Sequence, residues 1–89
     1  MRPEEFITAF GAERASAILR TDVEDLAAPA MEAAIRGGFR IVEFTLTVPG
    51  ALARIEEFAR RPGLVVGAGT VLTSDEAREA VGRGASFLV

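Results

Sequence analysis

A single carboxylate set in an apolar run is the feature of this 89-residue chain that most invites chemistry. Glu43 is flanked by Ile41, Val42 and Phe44, and a charged group in such company is costly to bury without a partner or a purpose. Buried acids of shifted proton affinity concentrate at functional sites, where they act as general acids or bases. Arg20 closes an earlier run, Ala15-Ser16-Ala17-Ile18-Leu19. Its guanidinium is a cationic fork suited to a carboxylate, although an arginine at a strand end is ordinarily just a solvated loop residue. Thr70 is open to two readings, a hydroxyl donor or a residue suited to a strand.

What the chain lacks limits the reaction further. It has no histidine and no cysteine, which removes zinc sites, Ser-His triads and thiolate chemistry, so no metal is expected. All ten basic residues are arginine, leaving no lysine side chain to form a Schiff base. The net charge is −3 with the arginines scattered, which argues against a nucleic-acid partner. The opening Met1-Arg2-Pro3-Glu4-Glu5-Phe6 has no long apolar run; neither a signal peptide nor a membrane anchor is expected, and the default compartment is the cytoplasm. Gly67-Ala68-Gly69-Thr70-Val71-Leu72 has the look of a dinucleotide fingerprint, but Leu72 stands at the third glycine position and no acid follows suitably, so no nicotinamide cofactor is expected. These glycines either thin the wall where a ligand or neighbouring backbone approaches closely or mark a bulge.

Elements must position these residues, and the hydrophobic spacing supplies them. Phe6, Ile7 and Phe10 predict a leading helix over Pro3–Phe10, a lid for one end of the fold. Ala15–Arg20 reads as a first strand. Val23, Leu26, Ala27, Ala30, Met31, Ala34 and Ile35 mark a helix stripe, with Asp22 as N-cap, Gly37-Gly38 as the stop and a bend or late start at Pro29. Arg40–Thr45 is a second strand. Pro49, at a first helical position, opens a helix with Leu52, Ile55, Phe58 and Ala59 on its apolar face. Pro62-Gly63 precedes a third strand, Leu64–Ala68. Thr73 and Glu76 form a capping box for a helix ending near Gly82, and Ala85–Val89 is a fourth strand.

Strand ends at Arg20, Thr45 and Thr70 recur at intervals of 25 residues, and such a strand–helix repeat implies a parallel sheet with right-handed crossovers. An open doubly wound sheet and a closed barrel both fit. The faces favour the barrel. Ile41, Glu43 and Thr45 alternate with Val42, Phe44 and Leu46; the second set suits a helix layer, and the first turns polar at its C-terminal end. Ile18 with Arg20, and Val66 and Ala68 with Thr70, are assigned to the same inner face as Glu43. Three strands then deliver polar groups to the C-terminal rim, where barrel enzymes keep their sites. The fold class is therefore α/β, a parallel (β/α) barrel of TIM type.

Ala17-Ile18-Leu19-Arg20, the stretch from Gly37 to Pro49 and Val66-Gly67-Ala68-Gly69-Thr70-Val71-Leu72 together resemble the 2-keto-3-deoxy-6-phosphogluconate and 4-hydroxy-2-oxoglutarate aldolases, from Arg14 to Val89. The resemblance implies a class I aldolase on a (β/α)8 barrel, a homotrimer that splits a phosphorylated keto acid into pyruvate and glyceraldehyde 3-phosphate with no cofactor. It makes Glu43 the general acid/base, working through water on a lysine adduct, and places Thr70 and Arg20 near the substrate carboxylate. Thr47 stands where much of the family has an arginine for that carboxylate, so the task passes in part to Arg20. The family's lysine lies on a strand downstream of Val89. Residues 1–89 are thus expected to form the N-terminal half of a single barrel domain, with 1–13 as leading helix and linker, inactive alone for want of the lysine. A non-catalytic half-barrel that pairs with itself or a complementary half is the alternative. A third reading is a full-length relative in the same barrel group acting on another keto acid.

Overall fold

The computed structural model describes residues 1–89 as α1 (Pro3–Glu13), β1 (Ala17–Leu19), α2 (Glu24–Arg36), β2 (Ile41–Thr45), α3 (Ala51–Ala59), β3 (Val65–Gly69), α4 (Ser74–Gly82) and β4 (Phe87–Leu88). The strands form one sheet in the order β1-β2-β3-β4, each pair parallel. Helices α2, α3 and α4 all lie on one face of it: Ala27 and Met31, Ala51, Ile55 and Phe58, and Ala80 share one buried cluster with Val42, Phe44, Val66 and Ala68 of the strands. A doubly wound sheet reverses its strand order and covers both faces with helices. Sequential order with every crossover helix on one side is instead the wall of a (β/α) barrel, here four strands of it.

The helix-side core is built around two aromatic rings. Phe44 and Phe58 are fully buried and meet edge to face, with centroids 5.1 Å apart, a geometry that adds about 0.5–1.5 kcal/mol to the burial itself. Arg61 lies over the Phe58 ring and pairs with Glu32, linking α3 to α2, while Arg83 pairs with Glu56 to link α4 to α3. These partly exposed pairs contribute little beside the apolar contacts.

Glycines stop and start the elements where the chain must turn left-handed. Gly38 adopts φ +113° just past α2, and its N–H and that of Phe39 donate to the carbonyls of Ile35 and Ala34. Gly50, at φ +75°, is the N-cap of α3.

Several expectations are corrected. The N-cap of α2 is Val23, not Asp22; the Thr21 hydroxyl accepts the Val23 N–H at 3.1 Å and orders the approach instead. Pro29 lies inside an unbroken helix. It sits early and exposed, so its missing N–H leaves only the carbonyl of exposed Asp25 unpaired, where water can serve it. The buried stripe of α2 is narrower than the spacing suggests, with Leu26 and Ala30 exposed. Pro49 does not open α3: bonds from Val48 N–H to Thr45 carbonyl and from Ala51 N–H to Val48 carbonyl make a turn that delays the helix to Ala51. Half of the capping box forms, since Thr73 Oγ1 accepts the Glu76 N–H at 3.1 Å but the Glu76 carboxylate accepts the N–H of Leu72 instead of Thr73.

The largest correction concerns β3. Val66 and Ala68 pack in the helix-side cluster, not on the face of Glu43. The register decides this, because Val66 and Ala68 lie opposite Val42 and Phe44, whereas Gly67 and Gly69 lie opposite Glu43 and Thr45. The inner face of β3 carries no side chains at these two positions.

Candidate active site

On the face away from α2–α4, the sheet presents Ile18 from β1, Ile41, Glu43 and Thr45 from β2, and bare backbone from β3. Register pairs Ile18 with Glu43; Arg20 is exposed and lies one residue beyond β1, with its charge in reach of Glu43. Glu43 is 5% exposed. Neither a hydrogen bond nor an ion pair within the chain holds its carboxylate. Burial raises its proton affinity above the ordinary value, and the positive charge of Arg20 acts in the opposite direction with smaller effect. Desolvation disfavours the charged form of an acid and a nearby cation favours it, so the balance leaves a carboxyl inclined to hold its proton.

The threonines fall into two settings. Thr45 is buried, and its hydroxyl lies 3.0 Å from that of exposed Thr47, which ties the end of β2 to the turn that follows. Thr47 also lines a cleft of about 530 Å³ between the start of α3 and α4, with Leu46 and Pro49 on one side and Glu76 and, just past α4, Arg83 on the other; Glu43 is not part of it. Thr70 is exposed and lies one residue beyond β3, so strand alternation does not assign it a face. Its neighbours fix its place on the rim: the Gly69 carbonyl accepts the Leu46 N–H at 2.6 Å, and the Val71 N–H donates to the Val89 carbonyl at 2.7 Å. The structure thus brings Arg20 and Glu43 within electrostatic reach, joins Thr45 to Thr47, and sets Thr70 on the same C-terminal rim without a bond to either.

Two features went beyond the sequence reading. The Phe87 ring occupies the space a side chain at Gly67 would take, and Phe6 of α1 packs on that ring with centroids 4.9 Å apart. This sets α1 against the inner face, as a lid over one end would be. A side chain at Gly69 would overlap the Glu43 carboxylate oxygen Oε1. The expectation for these glycines is corrected: the β2–β3 register runs without a bulge, and what approaches each is a side chain rather than neighbouring backbone, which no local pattern announces.

Comparison with known proteins fits this geometry. Residues 9–89 match the family model described as KDPG and KHG aldolase. The 2-dehydro-3-deoxy-phosphogluconate aldolase of Zymomonas mobilis is 44% identical over 72 residues, a match covering 75% of this chain and 33% of that protein. A crystal structure of 2-keto-3-deoxy-6-phosphogluconate aldolase from Zymomonas mobilis superposes with TM-score 0.70 at 37% identity, covering 82% of this chain and 35% of that one. A second, with 3-phosphoglycerate, gives TM-score 0.71 with the same identity and coverage. The chain spans about a third of the length of these relatives.

Proposed function

The chain belongs to the KDPG and KHG aldolase family, and from that premise we propose that it supplies the acid/base wall of a class I aldolase, with Glu43 moving the protons. Residues 1–89 form the first half of a single barrel domain, 1–13 being its leading helix and linker. The parent enzyme works in the cytoplasm as a homotrimer and cleaves 2-dehydro-3-deoxy-6-phosphogluconate to pyruvate and glyceraldehyde 3-phosphate; 4-hydroxy-2-oxoglutarate is a further substrate. The chain holds no lysine, so the Schiff-base amine comes from polypeptide other than these 89 residues.

The observation that carries this reading is the state of Glu43: almost removed from water, unpaired, and inclined to hold its proton. A group that exchanges a proton efficiently near neutral pH needs an affinity above that of an ordinary carboxylate, and burial moves a glutamate in that direction. As base, Glu43 takes the proton of the substrate hydroxyl, through water, while the carbon–carbon bond breaks and its electron pair passes toward the iminium nitrogen. As acid it returns a proton to the enamine carbon, and hydrolysis of the iminium then releases pyruvate. Arg20, Thr70 and Thr47 surround the keto-acid carboxylate, with Arg20 as its cation and the two hydroxyls as donors. In the protein carrying this chain, Glu43→Gln lowers turnover to pyruvate about 10²- to 10⁴-fold; unchanged turnover rejects the assignment.

One observation favours a second reading. The outer edges of β1 and β4 are unpaired, with Ile18 63% and Val89 62% exposed, and such edges suit a non-catalytic half-barrel that pairs with a copy of itself or a complementary half. Sedimentation of the 89-residue chain tests it: a stable dimer supports self-pairing, and a monomer rejects it.

A further inference from the structure

A positive φ is not what requires glycine at position 69. Gly67 and Gly69 lie outside the left-handed region that Gly38, Gly50, Gly63 and Gly84 occupy. What distinguishes the two is the space their missing side chains leave. A Cβ at 67 would collide with the outer edge of the Phe87 ring, and a Cβ at 69 would overlap Glu43 Oε1 and come 3.1 Å from Val89 Cβ.

The pairing shows which way the carboxylate leans. Glu43 is the register partner of Gly67, yet its Oε1 lies against Gly69, two residues nearer the C-terminal rim. The space beside its own partner is taken by Phe87, backed by Phe6 of α1. A ring fills the site over Gly67, and a vacancy opens over Gly69.

We propose that Gly69 is a positioning residue: its missing side chain is the seat of the Glu43 carboxylate, which the bare backbone there directs toward the C-terminal rim. This rests on the reading of Glu43 as the acid/base, and it names the group that aims it. The raised proton affinity of Glu43 is consistent with a seat that leaves the residue largely buried. A misplacement of about 1 Å at a catalytic group costs on the order of a hundredfold in rate, and a methyl group at 69 forces a shift of that size.

The test uses Gly69→Ala in the protein carrying this chain, with Gly67→Ala as control. Carboxyl ¹³C NMR of Glu43 is expected to show its titration midpoint falling toward that of an ordinary glutamate in Gly69→Ala, as the carboxylate is expelled toward water, and unmoved in Gly67→Ala. Turnover is expected to fall tenfold or more in Gly69→Ala, with its pH profile displaced in the same direction as the midpoint. An unmoved midpoint in Gly69→Ala overturns the proposal whatever the turnover. If Glu43→Gln leaves turnover intact, the catalytic reading fails while the NMR result still judges the seat. Should Gly69→Ala be too unstable to titrate, the pair is read by stability instead: the cost of Gly69→Ala disappears in a Glu43→Ala background if the carboxylate is what the methyl group strikes, and an undiminished cost overturns the proposal.

Discussion

Replacing Glu43 by glutamine should make the protein more stable at neutral pH, and the pH dependence of that gain tests the electrostatic reasoning directly. Gln is close in shape to a protonated glutamic acid but never ionises. In the folded state burial lifts the Glu43 midpoint above its ordinary value of 4.5, with Arg20 only partly opposing. In the unfolded chain the midpoint returns to the ordinary value. Between the two the folded state binds more proton than the unfolded state, so stability falls as pH rises through that interval and stays low above it. The loss is about 1.4 kcal/mol for every tenfold strengthening of proton binding. That is substantial against roughly 4–13 kcal/mol for a domain of this size. Urea unfolding of wild type and Glu43→Gln from pH 4 to 8 should give curves that coincide at the acid end and separate as pH rises, with the variant above. Parallel curves, or a wild type that gains on the variant as pH rises, refute the picture of a carboxyl largely buried and unpaired. The outcome also separates a catalytic acid from a structural one, since a glutamate serving the fold costs stability when removed.

Other consequences follow from the same geometry. Arg20→Gln removes the charge that lowers the Glu43 midpoint, so carboxyl NMR should find that midpoint higher than in wild type; an unchanged value means the two groups do not interact. Phe58→Ala empties the centre of the helix-side core, where Phe58 is fully buried against Phe44, and should cost about 3–5 kcal/mol in urea unfolding. Treatment of the 89-residue chain with pyruvate and borohydride should leave no adduct on any side chain, because the sequence holds no lysine; mass spectrometry locating one at an internal residue contradicts the division of labour proposed above.

The amino-acid pattern alone reached the element order, the parallel sheet, the helix-facing residues of β2 and the isolation of Glu43. Each is a local property. Period-2 alternation assigns Val42 and Phe44 to one side and Glu43 to the other, apolar neighbours make a lone carboxylate conspicuous, and Gly37-Gly38 stops α2 because only glycine turns left-handed at no cost. Helix starts were less legible: Asp22 and Pro49 are good local signals, but the turns at Thr21–Val23 and Thr45–Ala51 moved both boundaries through hydrogen bonds the sequence does not display.

The inner face of β3 was decided only in three dimensions. Alternation fixes which residues share a side within a strand, but not which side meets the helices when both sets are small and apolar. Val66 and Ala68 could face either way; register with Val42 and Phe44 turned them to the helices and left Gly67 and Gly69 beside Glu43. Glu43 was therefore marked out by sequence as a carboxylate that needs a reason. Where that carboxylate lies depends on Phe87, Phe6 and an absent side chain at position 69, groups far apart in the chain that only packing brings to one place.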